Sequence, residues 1–185
     1  MNTLLQMMNL LQSTIAHSLT YLLCMTGVLL SILFLSRLTN HKLCVLGIIP
    51  RHLIGLPGII FAPFIHAHFN HLFFNLLPLV ILTVLLLAFG YDFYWNITWI
   101  LILYSGSLIW LFARPGIHIG ASALITAYWG FLVTQIFFNQ ADIYYWFTSF
   151  ICVYYLAGIF FGIFPSSADV SWAVSYTHLR AHETL

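Results

Sequence analysis

Apolar runs of membrane-spanning length alternate along the chain with short polar punctuation. Ser18–Ser36 is closed by Arg37 and Lys42, and Leu72–Tyr91 is stopped by Asp92. Phe93–Ala113 ends at Arg114-Pro115-Gly116, Ile119–Phe138 at Asn139, Gln140 and Asp142, and Ile143–Phe164 at Pro165-Ser166-Ser167. About 20 apolar residues cross a bilayer as a helix. Lipid offers no partner to unpaired backbone groups, which favours helices over open strands. The pattern therefore predicts an all-α, polytopic membrane helix bundle with five recognisable spans. Tyr91, Tyr94 and Trp95, and then Tyr144, Tyr145 and Trp146, gather at the turns, where amphipathic rings favour the headgroup level.

Two stretches depart from this pattern. Met1–His17 sets Leu4, Leu5, Met8, Leu11 and Ile15 on one helical face, with Asn2, Gln6, Asn9 and Gln12 elsewhere. That predicts a short interfacial helix ahead of the first span. Leu43–Ile65 is apolar but is broken by Pro50, Pro57, Pro63, Gly47, Gly55, Gly58 and Arg51, and is expected to form a loop in the membrane interface rather than a span.

Composition agrees with the membrane assignment. Charged residues make up 5% of the chain and hydrophobic ones 62%, whereas soluble domains carry about 25% charge. A net charge of +1 leaves no basic footprint for nucleic acid. Cys24, Cys44 and Cys152 are isolated and odd in number, so neither a disulfide framework nor a cysteine zinc site is indicated.

Polar residues inside spans are expensive and are functional suspects by default. Three groups stand out. His66, His68, His71 and Asn75 lie at the entrance to the second span, with His71 and Asn75 one turn apart on one helix face and His66 in the approach. Gly120-Ala121-Ser122-Ala123 opens the fourth span, and Ser171-Trp172 stands where a sixth helix would begin. Ser122 sits in a first helical turn, where N–H groups and the helix dipole favour developing negative charge. Small-residue clusters are also common glue between membrane helices. In-span His and Asn more often bond a neighbouring carbonyl than a substrate. The three groups occurring together, each at a helix start, favour the functional reading.

Taken together, HAHFNHLFFN, WLFARPGIHIGAS and the Ser-Trp pair resemble the rhomboid intramembrane serine proteases, over roughly Leu38 to Ala173. The resemblance implies six helices around a water-accessible cavity and cleavage of transmembrane segments by a Ser–His dyad without cofactor or metal. Ser122 would be the nucleophile, with Asn75, His71 and the Ser122 N–H as oxyanion donors. His66 would match the family's additional His, with a structural or water-organising role. The partners implied are transmembrane protein substrates and membrane lipid, not nucleic acid. The setting implied is a bacterial cytoplasmic membrane, with the amino terminus inside and Ser122 toward the outer face. Arg37, Lys42, Arg51 and Arg114 then fall outside, against the positive-inside tendency.

Two departures from the family pattern bear on activity. Ala123 stands where the family has Gly after the serine. The family continues Ser-Trp-x-Gly-His-Leu, its His being the general base, whereas here Ser171-Trp172-Ala173 leads to Val174-Ser175. His178 lies three residues farther on and is a poor substitute. Residues 174–185 (VSYTHLRAHETL) hold the only Glu and read as a non-native tail resembling translated adapter sequence, replacing the expected sixth helix. The organisation expected is thus an interfacial helix over 1–17, an incomplete rhomboid-like domain over 18–173 and the tail. The literal chain is expected to be inactive.

Three alternatives stand beside this reading. An inactive rhomboid-like protein that binds transmembrane segments fits the missing base. A His-Glu-x-x-His metal protease lacks its Glu. A transporter lacks an inverted repeat and paired intramembrane charges.

Overall fold

The structure, a computed structural model, describes residues 2–138, 146 and 149–154, with side chains from Ser18 onward apart from Ile136. The described residues form helices and turns with no strand. Five α-helices are present among them: α1 (Asn2–Leu38), α2 (Gly58–Phe61), α3 (Phe69–Leu87), α4 (Tyr91–Phe112) and α5 (Ser122–Phe138). Three stretches are long and apolar enough to cross a membrane: Ser18–Leu38 within α1, all of α3 and all of α4. The first three expected spans correspond to these within a few residues. Residues 2–17, read from sequence as a separate element, continue into the first span without a break at His17. The expected fifth span is described only at Trp146 and over 149–154, which are helical. Ser171, Trp172, His178 and the tail lie outside the described residues.

The chain divides into two compact units, residues 1–128 and 129–185. In the second, the Trp129 indole N–H donates to the Cys152 carbonyl at 2.9 Å and the Ser149 hydroxyl to the Leu132 carbonyl at 3.2 Å. The described candidate site residues, His66, His71, Asn75 and Ser122, all lie in the first.

Within that unit, α1 packs on α3, α3 on α4, and α2 on α4. The core-facing stripe of α3 is Leu72, Asn75, Leu79, Leu82 and Leu86, all buried. Their spacing of three and four residues keeps one face inward, and it is this spacing that carries the Asn75 amide into the core. The outward faces are apolar too: Leu23, Phe34, Phe74 and Leu77 are all exposed. A soluble protein rarely leaves such surface uncovered, so this is a multi-pass membrane protein.

Residues 39–68 contain no spanning helix. They form short 3₁₀ turns at Lys42–Leu46, Leu53–Gly55 and Ala62–Phe64, with α2 between the last two. The segment is pinned at several points. Ile48 and His118 exchange backbone hydrogen bonds, both 2.9 Å. The Arg51 N–H donates to the Trp110 carbonyl at 3.0 Å, its guanidinium to the Leu111 carbonyl at 3.3 Å, and the Trp110 indole to the His52 carbonyl at 2.9 Å. Arg51 thus caps the carboxyl end of α4, where unpaired carbonyls and the dipole favour a cation.

At the other end of the bundle a buried polar cluster joins three helices. Tyr21 of α1 donates to the Tyr94 hydroxyl of α4 at 2.9 Å, and Thr98 and Tyr128 share a hydrogen bond of 2.7 Å. Tyr128 is fully buried on α5, so pairing its hydroxyl removes the cost of an unsatisfied polar group.

Candidate active site

The serine helix begins later than the apolar pattern suggests. Residues 118–120 are held away from helical geometry by the Ile48 bridge and by Gly120, whose φ is +103°. Helix α5 therefore starts at Ser122, with Ala121 accepting the first helical hydrogen bond from Ile125 at 2.9 Å.

Backbone donors through this turn are taken in order. The Gly120 N–H goes to the Ala62 carbonyl at 2.9 Å, and the Ala121 N–H goes to Nε2 of His66 at 3.4 Å. Ser122 holds the next N–H, and a first-turn N–H has no acceptor inside its own helix. That donor is available to an incoming oxygen. Ser122 itself is exposed.

Gly120 is also where α3 meets the turn. A Cβ built there would stand 2.6 Å from both Cε1 and Nε2 of His71 and 3.7 Å from Nδ2 of Asn75. The absence of a side chain thus lets the His71 ring and the Asn75 amide press against the turn that leads into Ser122. Gly120 thus admits an imidazole and an amide on one side, while its own N–H meets the Ala62 backbone. Asn75 is 8% exposed, and its amide also donates to the His71 carbonyl one turn back, at 2.9 Å. That bond fixes the side-chain rotamer and leaves one amide hydrogen over. His71, Asn75 and the start of α5, expected to converge from sequence, are neighbours in this unit. His178 is outside the described residues.

His66 has a part that sequence did not reveal. It is 1% exposed, and its ring meets His71 edge to face with centroids 5.0 Å apart. Burial first, and the neighbouring His71 second, push its pKa from 6.5 down to about 4, against a weaker opposing pull from the Phe64 backbone. A neutral ring that accepts at Nε2 carries its proton on Nδ1, and Nδ1 has no hydrogen-bond partner of good geometry. Only the three-dimensional approach of residues 66 and 121 reveals this bond.

On the α4 side, Ser122 borders a cavity of about 90 Å³ whose walls include Ile48, Ile59, Ala62, Ile102 and Gly106. His118 also lines it, with Nε2 donating to the Arg114 carbonyl at 2.9 Å. Among the described residues, no three His, Cys, Asp or Glu side chains converge as a metal site needs.

The sequence that carries this site is similar to known proteins. A family model described as the Rhomboid domain matches residues 50–180. Uncharacterized proteins of Mycobacterium bovis and Mycobacterium tuberculosis are each 37% identical over 123 residues, which is 62% of this chain and 50% of theirs. An uncharacterized protein of Mycobacterium leprae is 34% identical over 105 residues, 54% of this chain and 42% of its own. The chain thus spans about half the length of the curated relatives it matches. No solved structure matches it. The family match covers His66, His71, Asn75 and Ser122 together with the loop from Pro50 onward, and the chain belongs to the rhomboid family.

Proposed function

We propose that this protein is an intramembrane serine endopeptidase of a bacterial membrane, acting on transmembrane segments of other proteins. The observation that carries the reading is the turn at Gly120, which sets His71 and Asn75 of α3 against the approach to Ser122. Ser122 Oγ attacks the scissile carbonyl, a base takes its proton, and the carbonyl oxygen becomes an oxyanion. The Ser122 N–H, His71 and the spare Asn75 amide hydrogen receive that charge. Collapse of the intermediate returns the proton to the leaving amine and leaves an acyl-enzyme, which water then hydrolyses. Ser122→Ala in the native, full-length gene product is expected to abolish cleavage of a model transmembrane substrate while leaving expression intact. Undiminished cleavage by that variant overturns the assignment.

A specific feature favours a second reading, an inactive rhomboid-like protein that binds transmembrane segments. Position 175, where the family pattern has its basic His, is Ser. A serine hydroxyl without a base is a weak nucleophile. His178 lies three residues on, a spacing that on an ideal helix amounts to about 4.5 Å, more than a catalytic pair tolerates. A mechanism-based serine inhibitor separates the two. On the protease reading, replacing 174–185 with an apolar helix beginning Gly-His-Leu brings labelling at Ser122 to a chain that was inert. No labelling in either form favours the binding protein.

A further inference from the structure

We propose that His66 is a positioning residue for the serine turn, its neutral imidazole accepting the Ala121 N–H and thereby fixing the peptide that precedes Ser122. Three observations carry the assignment. Ala121 is 1% exposed, so solvent does not supply an alternative acceptor for its N–H. The preceding N–H, of Gly120, is already committed to Ala62, so the turn is held at two consecutive amides, one of them by this ring. The ring also keeps a buried Nδ1 that has no hydrogen-bond partner of good geometry, an arrangement that a purely apolar filler of similar size avoids. What the imidazole supplies that Leu or Phe lacks is the acceptor at Nε2.

The consequence for chemistry follows from the order of donors. With the Gly120 and Ala121 amides satisfied inside the protein, Ser122 is the first residue of the turn whose N–H is free for an incoming oxygen. Rotation of the Gly120–Ala121 peptide would shift Ser122 and press Gly120 differently on His71. His66 touches neither substrate nor hydroxyl in this scheme and acts through the turn. The role rests on the reading of Ser122 as nucleophile, whereas the hydrogen bond itself does not.

The test uses the full chain, labelled with ¹⁵N and held in detergent micelles or nanodiscs. Ring nitrogen shifts at neutral pH should show His66 protonated at Nδ1 and bare at Nε2. Amide exchange should be slow at Ala121 and should quicken by about tenfold or more in His66→Leu. His66→Gln, whose side-chain oxygen reaches the place of Nε2, should restore the protection. Exchange at Thr98 and Leu82, remote from the turn, should be unchanged in both variants. An Nε2-protonated tautomer, or an Ala121 exchange rate indifferent to His66→Leu, overturns the proposal. The tautomer measurement needs no variant and stands even where His66→Leu does not fold. Failure of the protease reading is seen separately, as lack of inhibitor labelling at Ser122 even after 174–185 is replaced by the helix beginning Gly-His-Leu, with the exchange pattern intact.

Discussion

Gly120 combines two demands that no other residue meets. Its φ of +103° lies where side chains are strained, at a cost of about 1–3 kcal/mol for a non-glycine, and the space beside it is filled by His71. Gly120→Ala is therefore expected to lower the detergent melting temperature and to push the His71 ring off the turn, seen as a changed His71 ring resonance. An unmoved ring at unchanged stability would show that the turn relaxes freely. Asn75 makes a different prediction. Loss of one oxyanion donor lowers turnover by about 10²-fold, so Asn75→Ala should reduce kcat in the cleaving form of the protein. KM should be nearly constant, and a rise in KM alone would make Asn75 a packing residue. At this scale the sequence was legible where chemistry follows helical spacing. His71 and Asn75 share a face because they are four residues apart, and Asn75 is buried because Leu72, Leu79 and Leu82 repeat on its stripe. The His66 bond and the clash that only Gly120 avoids were not legible, since each joins residues about fifty positions apart.

Among the elements, the segment between α1 and α3 was the hardest to read. Proline and glycine spacing correctly excluded a spanning helix, because Pro removes ladder donors and restricts the residue before it. The same spacing gives no hint of what the segment packs against. That is settled by close backbone contact: a Cβ at Gly58 would collide with the carbonyl carbon and oxygen of Gly47. Neither backbone has room to yield, since Gly47 precedes the Ile48–His118 bridge. Gly58→Ala is expected to destabilise the protein by about 1–3 kcal/mol, measured as unfolding in detergent. It should also loosen Ile48 and His118, giving faster amide exchange at both. A stable variant with intact exchange there would show that the loop is not held by this contact. Arg51 teaches a related lesson. Read as an interruption in an apolar run, it closes the carboxyl end of α4 through the Trp110 and Leu111 carbonyls. The start of α5 moves from Ile119 to Ser122 for the same reason, because the extended backbone at Ile48 outcompetes helix propensity over 118–120.

At the scale of the whole molecule, apolar surface on both faces of the helices leaves polar cohesion to a few buried groups, and their protonation then bears on global stability. His66 is the clearest case. Unfolded, it titrates near 6.5; folded, burial and His71 hold it down to about 4. Above pH 6.5 both states are neutral and the group contributes no pH dependence. Between 6.5 and about 4 the unfolded chain binds a proton that the folded one excludes, so stability falls as pH falls. The loss reaches about 3 kcal/mol below both values, since each pH unit that separates them is worth about 1.36 kcal/mol. Protonation also turns Nε2 from acceptor to donor, so the Ala121 bond is lost as pH passes through the folded value. Melting in detergent should therefore decline between pH 6.5 and 4, with Ala121 exchange quickening near the lower end. His66→Gln, which does not titrate, should flatten most of that decline while leaving the melting temperature at pH 7.5 nearly unchanged. An equally steep decline in His66→Gln would assign the acid sensitivity to other histidines and leave His66 without this role in stability.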